Sequence, residues 1–268
     1  MPENISTEKR ENSSGAPADN TGTDTNDRMA RLVVFDRLIV GPVAVEPKRI
    51  TAPYRLITGY SDEKTELIYT YEERVFDPDE SESRNLAGMI AAQTALNYGL
   101  FCREIEFKGS FDHTDRRFIR EMAENTAREI YVRKFLEPNP FLTKAFGGLQ
   151  PEKRKKYLAA NIRFSGPSAR KNVHRWKFWS TDRRRHAVLS SGGKDSLLSF
   201  GLIRELNREV HPIFVNESGR HWFTALNAYR HFRENIPNTA RVWVNSDRVF
   251  AWFLRRLPFI RRDFAEIR

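Results

Sequence analysis

The sequence predicts an α/β protein in which a parallel, doubly wound domain follows a small α+β domain. From residue 186 onward, short apolar runs alternate with segments whose apolar residues recur at helical spacing. This alternation is typical of a parallel sheet with right-handed crossovers. Before residue 142, short strands separated by turn-forming residues favour antiparallel pairing, and helical segments are interspersed among them.

The N-terminal part of the chain divides by composition. Residues 1–28 are mainly small polar and charged residues, which bury too little apolar surface to offset the entropy of ordering, so we expect a disordered tail. Large apolar residues become frequent from Arg31, and residues 30–142 are expected to form the small α+β domain. The single cysteine, Cys102, lies in an apolar run and is expected to be a buried structural side chain.

Apolar alternation and turn signals predict the elements of this first domain. A loop at 59–64 is expected to join two strands as a hairpin. A long helix is expected to begin with a cap at Asp112 or Thr114 and to end before Pro138 and Pro140. In chain order, strands are expected at 32–35, 38–40, 54–58, 66–71 and 102–107, and the shorter helix at 85–98.

Residues 143–185 are expected to be a basic linker. Basic residues among aromatic ones are typical of surfaces that bind single-stranded nucleic acid or a phosphorylated substrate. They also fit a solvated face whose aromatic residues pack on the next domain. The basic runs are 153–156, 170–171 and 183–185, and the aromatic residues between them are Trp176, Phe178 and Trp179.

The most informative stretch is 186–196, which reads His-Ala-Val-Leu-Ser-Ser-Gly-Gly-Lys-Asp-Ser. Residues 187–189 are apolar, as in a buried parallel strand, and residues 197–207 have helical spacing. Asp195 and Ser196 are expected to cap that helix. A small-residue turn between a strand and a helix directs backbone N–H groups and the positive end of the helix dipole at one point. The pattern therefore predicts a phosphate-binding site.

The residues of this turn exclude two common phosphate loops. A Walker A loop requires Ser or Thr after its lysine, whereas Lys194 is followed by Asp195, and the three spaced glycines of a dinucleotide site are absent. The run 191–196, Ser-Gly-Gly-Lys-Asp-Ser, resembles the signature of the PP-loop ATP pyrophosphatases. That resemblance implies a HUP-like ATP-binding domain over 186–268. It also implies that ATP is cleaved between its α and β phosphates, that an acceptor oxygen is adenylated and that pyrophosphate leaves.

Charge assigns roles within this turn, because a site that releases pyrophosphate must supply donors and cations. The N–H groups of Gly192, Gly193 and Lys194 are expected to hold the β and γ phosphates. Lys194 also adds a positive charge, and Lys194 and Asp195 are the predicted catalytic residues. The carboxylate of Asp195 is expected either to hold a Mg²⁺ ion that bridges the phosphates or to act as a helix N-cap.

The serines of the turn complete the predicted site. The hydroxyls of Ser191 and Ser196 are expected to donate to the same phosphate oxygens. Ser190 is expected to be the last residue of the strand and is a lesser candidate for nucleotide contact. The expected cofactors are therefore ATP and Mg²⁺, held by residues 190–196.

The remaining elements place two further candidates near the nucleotide. Asn216 and Glu217 follow a second buried strand, and open α/β sheets bind ligands at the carboxyl edge of their strands. Asp247 is expected to cap the last helix. The predicted strands are 210–216 and 242–245, and the predicted helices are 221–232 and 249–257.

Only three parallel strands are recognisable, whereas the PP-loop domain that the signature resembles has about five. Two alternatives remain open at this point. Either the rest of the sheet is built from residues whose pattern is not recognised, or the chain is the front part of a longer protein. An open sheet edge is an aggregation hazard in either case.

The order of the parts is similar to one PP-loop family, the ATP-dependent UDP-N-acetylmuramoyl-L-alanyl-L-glutamate epimerases. The similarity spans roughly residues 50–268 and is sharp only at the turn. It implies that the α-carboxylate of a terminal glutamate is adenylated, which acidifies the adjacent C–H bond and permits inversion by proton exchange. The expected substrate is thus a small-molecule or nucleotide-linked peptide carboxylate, and no acid or base for the inversion is identified.

Two other functions are weighed beside this one. The net charge of +10 favours a tRNA-modifying enzyme of the same superfamily, although a single cysteine argues against sulfur transfer. The short parallel region favours a nucleotide-binding module without catalysis. The six histidines lack ligand spacing, so no structural metal is expected.

Composition bounds the location of the chain. Residues are 40% hydrophobic and 30% charged, and there is no apolar run of membrane-spanning length. The N-terminus lacks the apolar segment of a signal peptide. With one cysteine no internal disulfide forms, and a cytoplasmic location without membrane contact is expected.

Overall fold

The fold is a nine-stranded mixed sheet with helices on both faces, seen in a computed structural model that describes residues 29–146, 149, 154–166, 180–217 and 221–265. The predicted tail, 1–28, lies outside these residues. The strands are β1 (Phe35–Val40), β2 (Ala44–Glu46), β3 (Arg49–Thr58), β4 (Ser61–Tyr71), β5 (Cys102–Lys108), β6 (Asn161–Ser165), β7 (Arg185–Ser190), β8 (Glu209–Asn216) and β9 (Ala240–Val244). The helices are α1 (Ser81–Ala95), α2 (His113–Ile130), α3 (Lys194–Glu205), α4 (His221–Asn235), α5 (Ser246–Leu254) and α6 (Arg262–Ala265).

One sheet runs through both predicted domains. Its order is β6-β5-β1-β3-β4-β9-β8-β7, with β2 paired to β3. The junction is an antiparallel pair between β4 and β9, in which Tyr69 lies opposite Val244. Residues of α5, among them Val249 and Phe253, belong to the same buried core as Leu38 of β1. The intervals 30–142 and 186–268 therefore share a sheet and a core.

The predicted hairpin is present and longer than expected. β3 and β4 pair along their whole lengths, from Arg49 opposite Thr70 to Thr58 opposite Ser61, so the connecting turn is only Gly59 and Tyr60. The expected loop at 59–64 was wrong because charged residues occupy the strand on the exposed face. Arg55, for example, forms an ion pair with Asp62 across the hairpin.

Other N-terminal elements differ from prediction at their ends. Residues 32–34 do not join a strand, since Leu32 closes a turn onto the carbonyl of Met29 and β1 begins at Phe35. The cap at Asp112 is confirmed. Asp112 Oδ1 accepts the N–H of Asp115 at 2.8 Å, and Asp115 Oδ2 accepts the N–H of Asp112 at 2.9 Å. Helix α1 begins at Ser81 rather than at residue 85.

The interval 143–185 contains a strand where a linker was expected. β6 pairs in parallel with β5, with Ile162 opposite Ile105. Arg163 of β6 donates to Glu104 of β5 at 3.2 Å, so one of the basic residues of this interval stabilises the sheet. Residues 167–179, which hold the predicted aromatic residues and the run 170–171, lie outside the described residues.

The three strands after residue 185 are parallel, which confirms the predicted alternation of strands and helices for β7, β8 and β9. Only one face of this part is buried. Val188, Val210 and Phe214 lie under helices α3 and α4, whereas Leu189 and Val215 are exposed on the other face. The expectation of a fully buried strand at 187–189 was therefore wrong.

Helix α5 lies on the opposite face from α3 and α4. It does not begin with the expected cap at Asp247, because Asn245 precedes the first turn and Asp247 lies within it. The side chain of Asn245 instead binds β4, accepting the N–H of Ile68 at 2.8 Å and donating to the carbonyl of Glu66 at 2.9 Å.

Two further predictions concern the single cysteine and membrane-spanning segments. Cys102 is fully buried, as expected, and burial raises the pKa of its thiol far above the usual range. Among the described residues no helix is both long and apolar enough to cross a membrane.

Candidate phosphate-binding site

The signature turn lies where the sequence placed it, between the end of β7 and the start of α3. Residues 191–193 connect the two elements, and Lys194 is the first residue of the helix. β7, β8 and β9 are parallel, so the turn lies at the carboxyl edge of that part of the sheet. Ligands of open α/β sheets bind at this edge.

Gly192 is required by its backbone and by its surroundings. Its φ is +74°, in the left-handed region that residues with a side chain rarely adopt. A Cβ atom at this position would also approach Ala225 Cα and Ala228 Cβ of α4 to 3.0 Å. Gly192 thus lets the turn pack directly on α4, whose facing residues are Ala225 and Ala228.

The helix after the turn begins without a side-chain cap. Gly193 is the N-cap residue, and no side chain in the described part of the chain binds the free N–H groups of the first turn. The expected capping by Asp195 and Ser196 was wrong, because both lie inside the first turn. Ser196 Oγ instead donates to the carbonyl of Gly193 at 2.9 Å. The N–H groups at this end remain able to bind an anion.

The serine hydroxyls hold the turn through long hydrogen bonds. Ser190 Oγ accepts the N–H of Gly192 at 3.3 Å, and Ser191 Oγ accepts the N–H of Gly193 at 3.4 Å. Ser190 Oγ also donates to Ser196 Oγ at 3.3 Å. Bonds of this length are weak, so these N–H groups can exchange their hydroxyl partners for phosphate oxygens at little cost.

A cavity of about 500 Å³ opens beside the turn. This size lies within the range of small-molecule sites, roughly 300–1,000 Å³. The turn forms one wall, the end of β8 another and the start of α4 a third. The lining residues are Leu189, Ser190, Ser191, Gly192, Gly193, Val215, Glu217, Trp222, Thr224 and Ala225.

Five of the predicted nucleotide-binding residues line this cavity, namely Ser190, Ser191, Gly192, Gly193 and Glu217. Three others, Lys194, Asp195 and Ser196, form the first turn of α3 beside it. Lys194 and Asp195 are exposed and therefore accessible to a ligand.

Asn216 stands apart from this group. It is the last residue of β8, lies opposite Trp243 of β9 and is not part of the cavity wall. The structure thus groups the turn with Glu217 and does not group it with Asn216. Residues 218–220, which follow Glu217, lie outside the described residues.

The start of α4 supplies wall residues that the sequence did not single out. Trp222, Thr224 and Ala225 line the cavity opposite the turn. The signal for them was available, since the residues that follow the second parallel strand must return over the same edge of the sheet as the turn. No charge or motif marked them, and the expected contacts stopped at Glu217.

An ordered polar cluster supports α4 from behind the cavity. Tyr229 Oη donates to Glu72 Oε1 at 2.7 Å, and the backbone N–H of Arg241 donates to Glu72 Oε2 at 2.9 Å. The guanidinium of Arg241 lies over the rings of Trp222, at 5.9 Å, and Tyr229, at 5.2 Å. Because Glu72 directly follows β4, this cluster ties α4 to the N-terminal half of the chain.

Glu217 also acts electrostatically on that half. Burial raises the pKa of Tyr69 on β4, and the negative charge of Glu217 raises it further. The carboxylate of Glu217 is therefore near Tyr69 as well as in the cavity wall.

A larger cleft of about 720 Å³ lies elsewhere, between α2 and β6. It is lined by basic residues, among them Arg120, Lys155 and Lys156, and by the acidic residues Glu121 and Glu124. Glu124 is engaged there, since its Oε2 accepts the N–H of Leu158 at 3.1 Å. This mixed lining presents no converging donors comparable to those of the turn.

Protein ligands alone do not build a metal site in the described residues, where no group of three or more His, Cys, Asp or Glu side chains could hold an ion. The exposed carboxylate of Asp195 still fits a Mg²⁺ ion whose other ligands are phosphate oxygens and water.

Comparison with known proteins found no matching family model, no matching curated protein and no matching solved structure.

Proposed function

We propose that this chain binds Mg·ATP at the turn 190–196 and adenylates a carboxylate, as a HUP-like PP-loop enzyme. The observation that carries the proposal is the uncapped start of α3, which follows a Ser-Ser-Gly-Gly turn and opens on a cavity of nucleotide size. The Ser-Gly-Gly-Lys-Asp-Ser run at 191–196 supports the same assignment through its resemblance to the PP-loop signature.

The residues of the turn would bind the two terminal phosphates. The N–H groups of Gly192, Gly193 and Lys194 lie at the N-terminal end of α3, where the helix dipole adds roughly half a positive charge. The Lys194 ammonium would add a full positive charge at the same place. Charge that accumulates on departing pyrophosphate would thus be met by donors that are already oriented.

The chemistry of the step is a substitution at the α-phosphorus of ATP. A carboxylate oxygen of the acceptor forms a bond to the α-phosphorus. The bond between the α-phosphorus and the α,β-bridging oxygen breaks, and that oxygen leaves with the pyrophosphate. The products are an acyl adenylate and pyrophosphate. Mg²⁺ would supply charge neutralisation on the phosphate oxygens, and Asp195 is the residue placed to hold it.

The acceptor that best fits the family resemblance is the terminal glutamate α-carboxylate of a UDP-linked muramoyl dipeptide. Trp222 and Thr224, on the cavity wall opposite the turn, are placed to contact either the nucleotide or this acceptor. Such an acceptor is a nucleotide-linked peptide carboxylate.

RNA is the second acceptor class, and one observation favours it. Arg183, Arg184 and Arg185 are exposed where β7 begins, in a chain of net charge +10. Basic surfaces of this kind attract polyanions. Such an enzyme would use the same turn for ATP and would adenylate a base of the RNA.

The test is release of pyrophosphate and AMP from Mg·ATP, with no acceptor, with the muramoyl dipeptide and with tRNA. We expect release that depends on the dipeptide. Release that depends on tRNA would show that the acceptor is RNA, and the ATP site would stay as proposed. ATP binding without release in any of the three would remove the catalytic part of the proposal, and the absence of ATP binding would remove all of it.

The matched variants are Asp195→Asn and Asp247→Asn. Each removes a carboxylate from the first turn of a helix, α3 in one case and α5 in the other. Both should cost about 0.3–1 kcal/mol of stability through the helix dipole. We expect only Asp195→Asn to weaken Mg·ATP binding, by at least about tenfold, which is 1.4 kcal/mol. Equal binding by the two variants would contradict the role of Asp195.

A further inference from the structure

A separate cavity, of about 570 Å³, enters the large core between the end of α2 and α5. Its wall comes from three parts of the chain, namely residues 97–101 after α1, residues 130–142 and residues 250–260. Phe135 and Phe259 of this wall are at most 2% exposed and belong to the core itself. Protein interiors ordinarily fill such space with side chains, so an open volume of small-molecule size is a candidate binding site.

The wall of this cavity is almost entirely apolar. All but four of its described lining residues are aliphatic, aromatic or proline. The four polar ones are Asn97, Arg133, Lys134 and Asn139. Two rings of the wall, Phe141 and Phe250, are 48% and 45% exposed, although they come from different parts of the chain. The occupant must therefore present hydrocarbon to most of the wall, including its open side.

The charged groups of the wall are both positive. Among the described lining residues there are two cations and no carboxylate. Arg133 is compensated from outside the wall, since it donates to Glu129 Oε1 at 3.2 Å and to Glu137 Oε1 at 3.1 Å. The ammonium of Lys134 is exposed and has no ion pair or hydrogen bond within the part of the chain that the structure describes. One uncompensated positive charge thus lies beside an apolar cavity.

The helical turn that carries this charge is itself unusual. Residues Tyr131–Leu136 continue α2 as a π-helix. Such turns are rare and occur frequently at functional sites. Here the buried ring of Phe135 and the exposed Lys134, which are adjacent in the chain, both lie in the cavity wall. A single turn thus supplies both apolar wall and positive charge.

We propose that this cavity binds an amphiphilic carboxylate, a small molecule with an apolar chain and one negative charge. The chain lies against Phe135 and Phe259, and the carboxylate lies at the exposed side, where Lys134 donates to it. The apolar wall by itself fits a neutral ligand equally well. The uncompensated ammonium selects an anion, and the concave wall of small-molecule volume selects a small one.

Isothermal titration calorimetry of the full chain with decanoate tests the proposal. We expect a dissociation constant below about 100 μM. Octanoate should bind roughly tenfold more weakly, because it removes two fewer methylene groups from water. The absence of decanoate binding at millimolar concentration would overturn the proposal, and so would equal affinities for the two chain lengths.

Lys134→Gln separates the charge of the ligand from its chain. This variant should bind decanoate at least about threefold more weakly and decan-1-ol, which has the same chain and no charge, as the parent does. Lys144→Gln is the matched control, because Lys144 is exposed and lies outside the cavity wall, and it should leave both affinities unchanged. Unchanged decanoate binding by Lys134→Gln would contradict the selection of an anion.

Leu254→Trp places a larger side chain in the cavity wall and should weaken decanoate binding at least about tenfold. Leu202→Trp is its control, since Leu202 is an exposed leucine of α3. Equal decanoate affinity of the two variants, with the circular dichroism of the parent, would overturn the proposed site. The alternative occupant is a membrane surface. Co-sedimentation with phosphatidylglycerol vesicles without decanoate binding would replace the proposal by that surface. None of these results bears on ATP binding, which stands on the turn alone.

Discussion

The two ends of the sheet differ in how fully their side chains are buried. At the β6 end, residues of β1, β3, β5, α1, α2 and α5 form one large core in which Leu38, Phe107 and Phe253 are at most 1% exposed. At the β7 end, the buried cluster consists of Phe214 and three residues of α4, and α3 contributes no buried residue.

The comparison indicates a division of work within one sheet. The well-packed half serves as the scaffold, and the thinly packed half carries the turn 190–196, which is the proposed phosphate site. Segments with few buried apolar contacts open at lower free energy than the core. The turn therefore lies in the half that opens more readily, so ligand binding there should raise the free energy of local opening.

The largest expected effect is a difference in stability between two alanine variants, each of which removes one aromatic ring from one half of the sheet. Phe253 is fully buried and stacks on Tyr98 with ring centroids 3.7 Å apart, so Phe253→Ala should lower the free energy of unfolding by about 3–5 kcal/mol. Phe200 of α3 is half-buried, and its ring centroid lies 4.8 Å from that of Phe232. Phe200→Ala should therefore lower the free energy of unfolding by only about 1–2 kcal/mol.

Denaturant unfolding of the two alanine variants measures this contrast. Circular dichroism reports both halves together, and fluorescence provides a second probe of the transition. Equal losses of stability in the two variants would show that the two ends of the sheet are equally well packed and would contradict this difference in packing.

A medium effect is expected at the turn itself. Gly192→Ala places a side chain at φ +74° and against α4, so it should cost about 1–3 kcal/mol of stability and weaken ATP binding. Gly201→Ala is the control, because the added Cβ meets nothing within 4 Å and alanine favours the helix by up to about 1 kcal/mol. Stability and ATP affinity are measured on both variants. Tight ATP binding by Gly192→Ala would show that the turn geometry is not needed.

The smallest effect concerns the scaffold and depends on pH. The hydrogen bond from Arg256 to Glu63 of β4 holds the pKa of that carboxyl below its usual value. A lowered folded-state pKa gives stability that is present above the unfolded pKa, near 4.3, and is lost as pH falls through the folded pKa. This partly exposed pair should contribute less than about 1 kcal/mol.

Glu63→Gln measures that contribution. The free energy of unfolding of the parent minus that of the variant should be positive at neutral pH and should shrink as the pH is lowered from about 6 to about 3. A difference that stays constant over this interval would mean that the ion pair does not titrate as described.

Much of the fold could be predicted from the sequence where one face of an element is buried. The parallel strands, the long helix capped by Asp112 and the position of the signature turn follow from apolar spacing and local capping. The length of the hairpin could not, because the residues of β4 at 61–65 are polar on both faces and resemble a loop.

The pairing of strands that are distant in the chain could not be predicted from the sequence. Nothing in the residues of β4 or β9 shows that these strands meet, and β6 lies in a basic segment whose strand character depends on its pairing with β5. At the site, the backbone donors could be predicted because they are local to the motif. Trp222 and Thr224 follow the second parallel strand, which places them near this edge, but their contact with the cavity depends on the packing of α4 on Gly192 and carries no motif.

The most direct test of the phosphate site is hydrogen exchange of the backbone amides of 190–197 with and without Mg·ATP. We expect the amides of Gly192, Gly193 and Lys194 to exchange more slowly with Mg·ATP, and adenosine, which lacks phosphates, to leave them unchanged. Exchange that is unaltered in this turn, or that slows instead in the cleft between α2 and β6, would contradict the assignment of the site.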